Sequence, residues 1–394
     1  MLKGVYSPGT AFYLMPRESL STEYEKVMTH GAVQNWLNSL NGSKATRSSA
    51  LYSLHRWCAH AGEDPEALLR RKEFEQRRPE PRQRFETEDR LRAFAKGVRG
   101  AYVYAAYVKS FYAANHMPLD LRLVRPPPQR EPSVLPDDAK LRALVSAAGS
   151  KQLKSLILFL ADSGARIGSV LQLRYRHIRG DLEAGRLPCR VAFPAQITKG
   201  GRAYVGFVGD DAAAALRDYL AWRTTDRVTK DVRGRKYTLK GRPLTDESSL
   251  FESRNGKPLS KTTTILRIET AAFAAGLNPT NRGLRAFHPY LLRARTQTIM
   301  EAQGLPLNWI DLMLGHSPRG AQGMAYSKPT DEQLRQGYAR AYGALRIFKP
   351  AVSEEDRRRL NELGALDGRL AVLEGQLADL RRAREAELAA EGAA

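Results

Sequence analysis

The chain is poor in cysteine, in long apolar runs and in acid. Its 394 residues include two cysteines, Cys58 and Cys189, with no CxxC pair and no histidine at ligand spacing beside them. This argues against a disulfide framework or a zinc site and leaves two buried thiols as the expectation. The longest apolar run, residues 101–108, has eight residues. A membrane helix needs roughly 20. The N-terminal MLKGVYSPGTAFYLMPRESL lacks a continuous apolar stretch and a small-residue cleavage signal, so neither secretion nor a membrane partner is expected. A cytoplasmic, nucleoid-associated protein is expected instead.

What is present in excess is positive charge. Lys and Arg number 63 against 42 Asp and Glu, a net +21, and the isoelectric point is near 10.1. Residues 349–394 hold eight basic and ten acidic side chains, which leaves +23 on residues 1–348. The charge therefore belongs to the folded body, and a polyanion such as nucleic acid is its natural partner. A hydrophobic fraction of 42% is enough for real cores. A chain of this length is expected to divide into domains, since single cores stop growing at roughly 250 to 300 residues.

Five prolines in LVRPPPQREPSVLPDD, residues 123–138, forbid helix propagation and mark a linker. The domain reading is an N-terminal extension over 1–30, a helical DNA-binding domain over 31–122, the linker over 123–136, a second domain over 137–348 and a tail over 349–394. In the first domain Ser43 and Thr46 are candidate caps for a helix with Leu51, Leu54 and Cys58 on one face. Tyr104, Val108, Phe111 and Tyr112 line a second helix. The segment RRKEFEQRRPEPRQR, residues 70–84, has seven basic and three acidic residues. It is either a solvated connector or a phosphate-binding patch of Arg70, Arg71, Lys72, Arg77, Arg78, Arg82 and Arg84.

In the second domain, helices are expected over 137–144 and 153–162, the latter fully buried by its LILFL core. Strands over 189–197 and 203–208 flank TKGGR, a hairpin turn with Lys199 and Arg202 at its tip. Residues 227–242, with seven basic residues and one acidic, read as a mobile loop in which Arg233, Arg235 and Lys236 contact phosphates, or as a merely solvated one. Leu363, Leu366, Leu370, Leu373, Leu377 and Leu380 alternate spacings of three and four, the seam of a heptad helix. Gly364, Gly368 and Gly375 each cost that helix about 1 kcal/mol relative to Ala, so it needs a surface to lie on, in a partner or on the chain itself.

The chemistry-bearing residues are separated polar side chains in apolar surroundings. In DSGARIGSVLQLR, Arg166 stands in the turn opening a helix, where the helix dipole favours anions and a guanidinium is better placed to grip a phosphate than to stabilise the fold. Pro289 in FHPYLLRARTQ starts a helix with Tyr290 and Arg293 at i and i+3 on one face. His316 follows the Gly315 break, and Tyr326 lies ten residues later, before a capping box from Thr330 to Gln333.

Taken in order, Arg166, Lys199, Tyr290 with Arg293, His316 and Tyr326 resemble the motif set of the tyrosine recombinase (phage integrase) family, in flavour closest to archaeal and thermophile-type integrases. The likeness covers about 200 residues; each motif alone is weak, and the ordered set is specific. It implies a mainly α fold with a small β-sheet or hairpin: a two-domain, C-shaped DNA clamp with a helical core-binding domain, a mixed α+β catalytic domain and a C-terminal heptad helix. It also implies a site-specific recombinase of a mobile element that works on double-stranded DNA as a tetramer, without metal, cofactor or ATP. Tyr326 would attack the phosphate to form a 3′-phosphotyrosyl link, Arg166 and Arg293 would clamp its oxygens, Lys199 would protonate the leaving 5′ oxygen, and His316 would hydrogen-bond the phosphate or orient the nucleophile. The sequence departs from the family in two places. Tyr290 stands where the family has histidine, with His288 two residues earlier, and Ser169 replaces an acidic residue. A type IB topoisomerase-like nicking–resealing enzyme and a non-catalytic DNA-binding regulator are the alternatives.

Overall fold

The computed structural model describes residues 27–40, 42, 44–97, 101–124, 135–230, 234–278, 287–316 and 328–349, with Arg369, Leu373, Gln376, Leu377 and Arg381 of the tail. The chain is mainly helical with small antiparallel β-structure, and divides into two compact units, Met1–Glu131 and Pro132–Ala394. Of the tail's heptad seam only Leu373 and Leu377, both exposed and helical, are described; its other leucines, the N-terminal extension up to residue 26 and most of the proline-rich segment lie outside the described residues. Among the described residues no helix is long and apolar enough to cross a membrane.

The first unit contains helices α1 (Gly31–Ser39), α2 (Lys44–Ala61), α3 (Pro65–Gln76), α4 (Glu86–Gly97) and α5 (Ala101–Ala114). Leu54 and Trp57 of α2 are buried with Tyr104, Val108, Phe111 and Tyr112 of α5 and Trp36 of α1. The two indoles find acceptors, Trp36 Nε1 donating to Ser110 Oγ at 2.9 Å and Trp57 Nε1 to the Tyr112 hydroxyl at 3.5 Å, which lets polar tips enter an apolar core. Thr46 lies inside α2 rather than capping it, and Ser43 is outside the described residues.

Only the second half of the basic segment 70–84 is a connector. Its first half belongs to α3, because Asp64 caps that helix by accepting from Ala67 N at 2.7 Å and Pro65 occupies its first turn, a start signal strong enough to carry the charged run as helix. A 3₁₀ turn, Pro81–Phe85, follows.

The second unit is built around α7 (Lys151–Ser163), which follows α6 (Asp138–Ala147). Each helix is capped from one position ahead, by Asp137 to Lys140 N at 2.8 Å and by Ser150 to Leu153 N at 3.2 Å. Leu156 to Ala161 of α7 are all buried. A short helix α8 (Ile167–Val170), α9 (Arg179–Glu183), the hairpin β1 (Cys189–Phe193) and β2 (Tyr204–Val208), and α10 (Asp210–Thr224) come next. The β1–β2 register pairs Cys189 with Val208 and Phe193 with Tyr204. β1 stops at Phe193, four residues earlier than the sequence pattern suggests, because Pro194 has no N–H for the ladder and a 3₁₀ turn, Ala195–Ile197, follows.

Within the segment 227–242, residues 227–230 and 236–239 are strand rather than loop. They form a second antiparallel hairpin, β3 (Arg227–Lys230) and β4 (Lys236–Leu239), whose Val228, Tyr237 and Thr238 suit a strand although the surrounding charge hides the pattern. Asp226 closes its base, accepting from Gly241 N and Lys240 Nζ, each at 2.8 Å. Among the described residues, α11 (Lys261–Ala274), α12 (Tyr290–Ala302) and α13 (Leu307–Leu314) precede α14 (Asp331–Leu345). α14 starts in the expected capping box, with Thr330 Oγ1 accepting from Gln333 N at 3.2 Å and Thr330 N donating to Gln333 Oε1 at 2.8 Å. Met300, Leu305, Ile310, Met313, Leu314, Leu334 and Tyr338 join α12, α13 and α14 to Phe207 of β2 in one apolar cluster. This cluster sets the end of α13 beside the hairpin.

Candidate active site

Two turns meet in the second unit, each with a glycine in the left-handed region. Gly164, at φ 56°, ends α7, and Gly315, at φ 64°, ends α13. A Cβ on Gly164 would stand 2.7 Å from Leu314, and one on Gly315 would stand 2.5 Å from the Tyr204 ring. Only glycine fits either place.

This close approach lets arginines reach the main chain. Arg293, on α12 and 3% exposed, donates from Nη1 to Gly164 O at 2.7 Å and from Nη2 to Leu314 O at 2.8 Å. Arg166, half-buried, donates from Nη1 to Gly315 O at 3.0 Å. The helix after Arg166 is only the four residues of α8, too short for the helix-dipole reasoning offered for this residue. Its position follows instead from the α7–α13 contact. Ser169, 4% exposed, donates its backbone N–H to Arg166 O at 2.9 Å and brings no carboxylate to the guanidinium.

His316 joins them. Its Nε2 is 2.6 Å from Arg293 Nη2, and its Nδ1 is 3.3 Å from Asp311 Oδ1. Because a guanidinium can only donate, Nε2 is the accepting nitrogen and Nδ1 carries the proton toward Asp311. Burial, followed by the Arg293 charge, holds the imidazole below its ordinary value, so it is neutral near pH 7. Arg293 is itself pulled down to about 10, mostly by burial and then by Arg166.

Among the described residues, neither Arg166 nor Arg293 forms an ion pair with a carboxylate. The other deeply buried arginines of this unit do: Arg295 with Asp138 at 2.5 Å, Arg335 with Asp181 at 2.7 Å and Arg223 with Glu252 at 3.4 Å. Two adjacent cations held by carbonyl oxygens and, for Arg293, the neutral His316 imidazole form a centre of positive charge without a paired carboxylate, suited to an oxyanion whose charge grows during reaction.

Of the other candidates, Tyr290 opens α12, three residues before Arg293, and is 63% exposed. His288 Nδ1 accepts from Tyr290 N at 3.2 Å and is occupied at the start of the helix. Lys199 is exposed in the turn between β1 and β2 and has no ion-pair or hydrogen-bond partner among the described residues. Tyr326 and Arg233 lie outside the described residues. Asp311 and Tyr204 were missed in the sequence. The signal for Asp311 was its place five residues before His316 on an otherwise apolar helix; for Tyr204 only its nearness to Lys199 was available.

The DNA-contact residues of the first unit need one firm correction. Lys72 is 2% exposed, 2.6 Å from Glu88 and 3.5 Å from Glu75, and donates to Arg84 O at 2.7 Å. It is a buried structural cation, which the one-dimensional charge run could not reveal. Arg71 pairs with Glu63, Arg77 with Glu73 and Arg78 with Glu86, and Arg84 donates to the carbonyls of Arg78 and Pro79. Arg70 and Arg82 are exposed, as are Arg202, Arg235 and Lys236 in the second unit. Donor atoms of His30, Asp64 and Glu66 lie within 4.8 Å of one another, the one such group of metal-ligand type among the described residues. Glu66 already pairs with His30, and Asp64 caps α3.

A helical scaffold presents two guanidiniums without carboxylate partners and a neutral imidazole beside a β-hairpin, an arrangement chemically able to hold a phosphoryl group. The model of the phage integrase family matches residues 137–333, half of the chain and every described member of this centre. Comparison with curated proteins finds no match. Solved structures with a similar course include the Tn1549 transposon integrase in complex with transposon right end DNA, at 16% identity, 78% of this chain, 98% of that one and a TM-score of 0.45. A lambda integrase dimer bound to a COC′ core site is similar at 12% identity, 80% of this chain, 100% of that one and 0.45. The integrase from mycobacterium phage Brujita shares 17% identity over 84% of this chain and 96% of that one, at 0.35. The chain belongs to the phage integrase family, the tyrosine-type site-specific DNA recombinases.

Proposed function

We propose that the chain cuts and rejoins duplex DNA through a 3′-phosphotyrosyl intermediate on Tyr326, integrating or excising a mobile element. The observation that supports this most is the pair of buried guanidiniums without carboxylate partners. A phosphodiester under attack gathers negative charge on its nonbridging oxygens, and Arg166 and Arg293 offer fixed donors for it. The Tyr326 oxygen bonds to phosphorus as its phenolic proton passes to water, the bond to the 5′ oxygen breaks, and the Lys199 ammonium gives that oxygen its proton. One ester replaces another, so the strand can be resealed without an external energy source. His316, held by Asp311, accepts from Arg293 and keeps that guanidinium in place, and the Tyr290 phenol supplies a hydrogen bond where the family has an imidazole. Exposed Arg202, Arg235 and Lys236, with Arg70 and Arg82 of the first unit, bind the backbone of double-stranded DNA and make affinity fall steeply with salt. Four protomers would assemble on two duplexes, in the compartment that holds the DNA.

Covalent trapping tests this reading. Wild type and Tyr326→Phe are incubated with nicked duplexes from the flanks of the gene and resolved on denaturing gels. The expected result is a DNA-shifted protein band in wild type that Tyr326→Phe lacks. Binding without an adduct across a broad panel of duplexes would leave only a DNA-binding regulator, and an adduct without recombinant joints would leave a nicking–resealing enzyme.

A further inference from the structure

Tyr204, the first residue of β2, brings to this centre a phenol that no group among the described residues answers. Its ring stacks on Phe193 across the hairpin, with centroids 4.5 Å apart and planes 6° from parallel, and its edge lies against the Gly315 backbone. Among the described residues its hydroxyl oxygen is buried without a hydrogen-bond partner. The carbonyls at the meeting of the two turns are already engaged, Gly315 O by Arg166 and Leu314 O and Gly164 O by Arg293. Burial pushes the phenol up to about 12 while the Arg293 and Arg166 charges pull the other way, so the group is protonated near neutral pH and is a donor.

A buried donor with no acceptor is costly, and such groups call for a specific explanation. Packing does not supply one. Phenylalanine would make the same stack and the same contact with Gly315 at no such cost. An oxyanion held by the neighbouring guanidiniums would.

We propose that the Tyr204 hydroxyl is a third donor at this centre, hydrogen-bonding a nonbridging oxygen of the scissile phosphate beside Arg166 and Arg293. This rests on the DNA-cleavage reading above, and it adds to that reading a residue outside the ordered motif set.

The test compares the full chain with its Tyr204→Phe variant in three measurements: melting temperature, affinity for a nicked duplex, and the rate of Tyr326 adduct formation at saturating duplex. The expected result is a variant that melts at or above wild type, binds equally well and forms the adduct roughly tenfold more slowly, the loss of one hydrogen bond made in the transition state. An adduct rate equal to wild type would overturn the proposal. So would a lower melting temperature with weakened binding, which marks a structural hydroxyl. If wild type forms no adduct on any duplex, the cleavage reading fails, and inorganic phosphate becomes the probe of the donor itself. A phosphate-induced rise in melting temperature that Tyr204→Phe lacks would sustain the donor, and equal rises in both would remove it.

Discussion

Arg293 and Arg295 stand two residues apart on α12, each 3% exposed, and the fold holds the two buried cations in opposite ways. Arg295 meets Asp138 at 2.5 Å and the Leu345 carbonyl at 3.2 Å, a neutralised pair that fastens α12 to the start of α6 and the end of α14. Arg293 has only carbonyl oxygens and a neutral imidazole. A carboxylate there would satisfy the guanidinium and at the same time fill the place of an incoming anion. The difference between these neighbours separates a cation kept for stability from one kept for reaction.

Exchanging the chemistry of each residue sharpens that contrast. Arg293→Lys keeps the charge but loses the fork that spans Gly164 and Leu314, and the adduct rate is expected to fall roughly 100- to 1000-fold with little change in melting temperature. Arg295→Met leaves Asp138 with Lys349, 2.8 Å away, as its remaining cation, and is expected to cost about 2 kcal/mol of stability by denaturant titration, while the folded fraction cleaves at the wild-type rate. If Arg293→Lys unfolds the protein as readily as Arg295→Met does, the distinction fails. A smaller effect is expected from Asp311→Asn, which weakens the hold on the His316 Nδ1 proton. It should slow adduct formation roughly tenfold and move the acid limb of the pH–rate profile, and an unmoved limb would remove Asp311 from the site.

The smallest effect lies in pH dependence. His316 has a lowered value in the folded chain, so between that value and its ordinary 6.5 the unfolded chain binds the extra proton. Stability is therefore full above this window and declines as pH falls through it. Melting curves from pH 7.5 to 5 should show the decline, and His316→Gln should flatten it. No such slope is expected of Arg295 and its partner Asp138, whose carboxylate is held down by Lys349 and Arg295 and titrates at lower pH.

Much of this was legible in the sequence wherever the information was local. The burial of α7 follows from LILFL, the start of α14 from Thr330 and Gln333, and the order of Arg166, Arg293 and His316 from their settings in otherwise apolar segments. What could not be read was which atoms would answer each charge. Lys72 and Arg70 are two positions apart in one basic run, yet one is buried against Glu88 and the other is exposed, because the deciding carboxylate comes from another helix. Arg293 and Arg295 share a window of three residues and differ by the arrival of Asp138 from 157 positions away. The β3–β4 hairpin was hidden by its own charge, which follows solvent exposure rather than strand geometry.

Holding two reactive cations by main-chain carbonyls also shapes which substitutions the site can survive. Every residue carries a carbonyl, so Leu314 can change among apolar side chains without loss of its grip on Arg293. The demand moves to Gly164 and Gly315, whose φ of 56° and 64° aim those oxygens and whose missing side chains let the two turns touch. A saturation scan scored by cleavage should therefore show its deepest intolerance at the motif residues and also at these two positions, which carry no functional group at all.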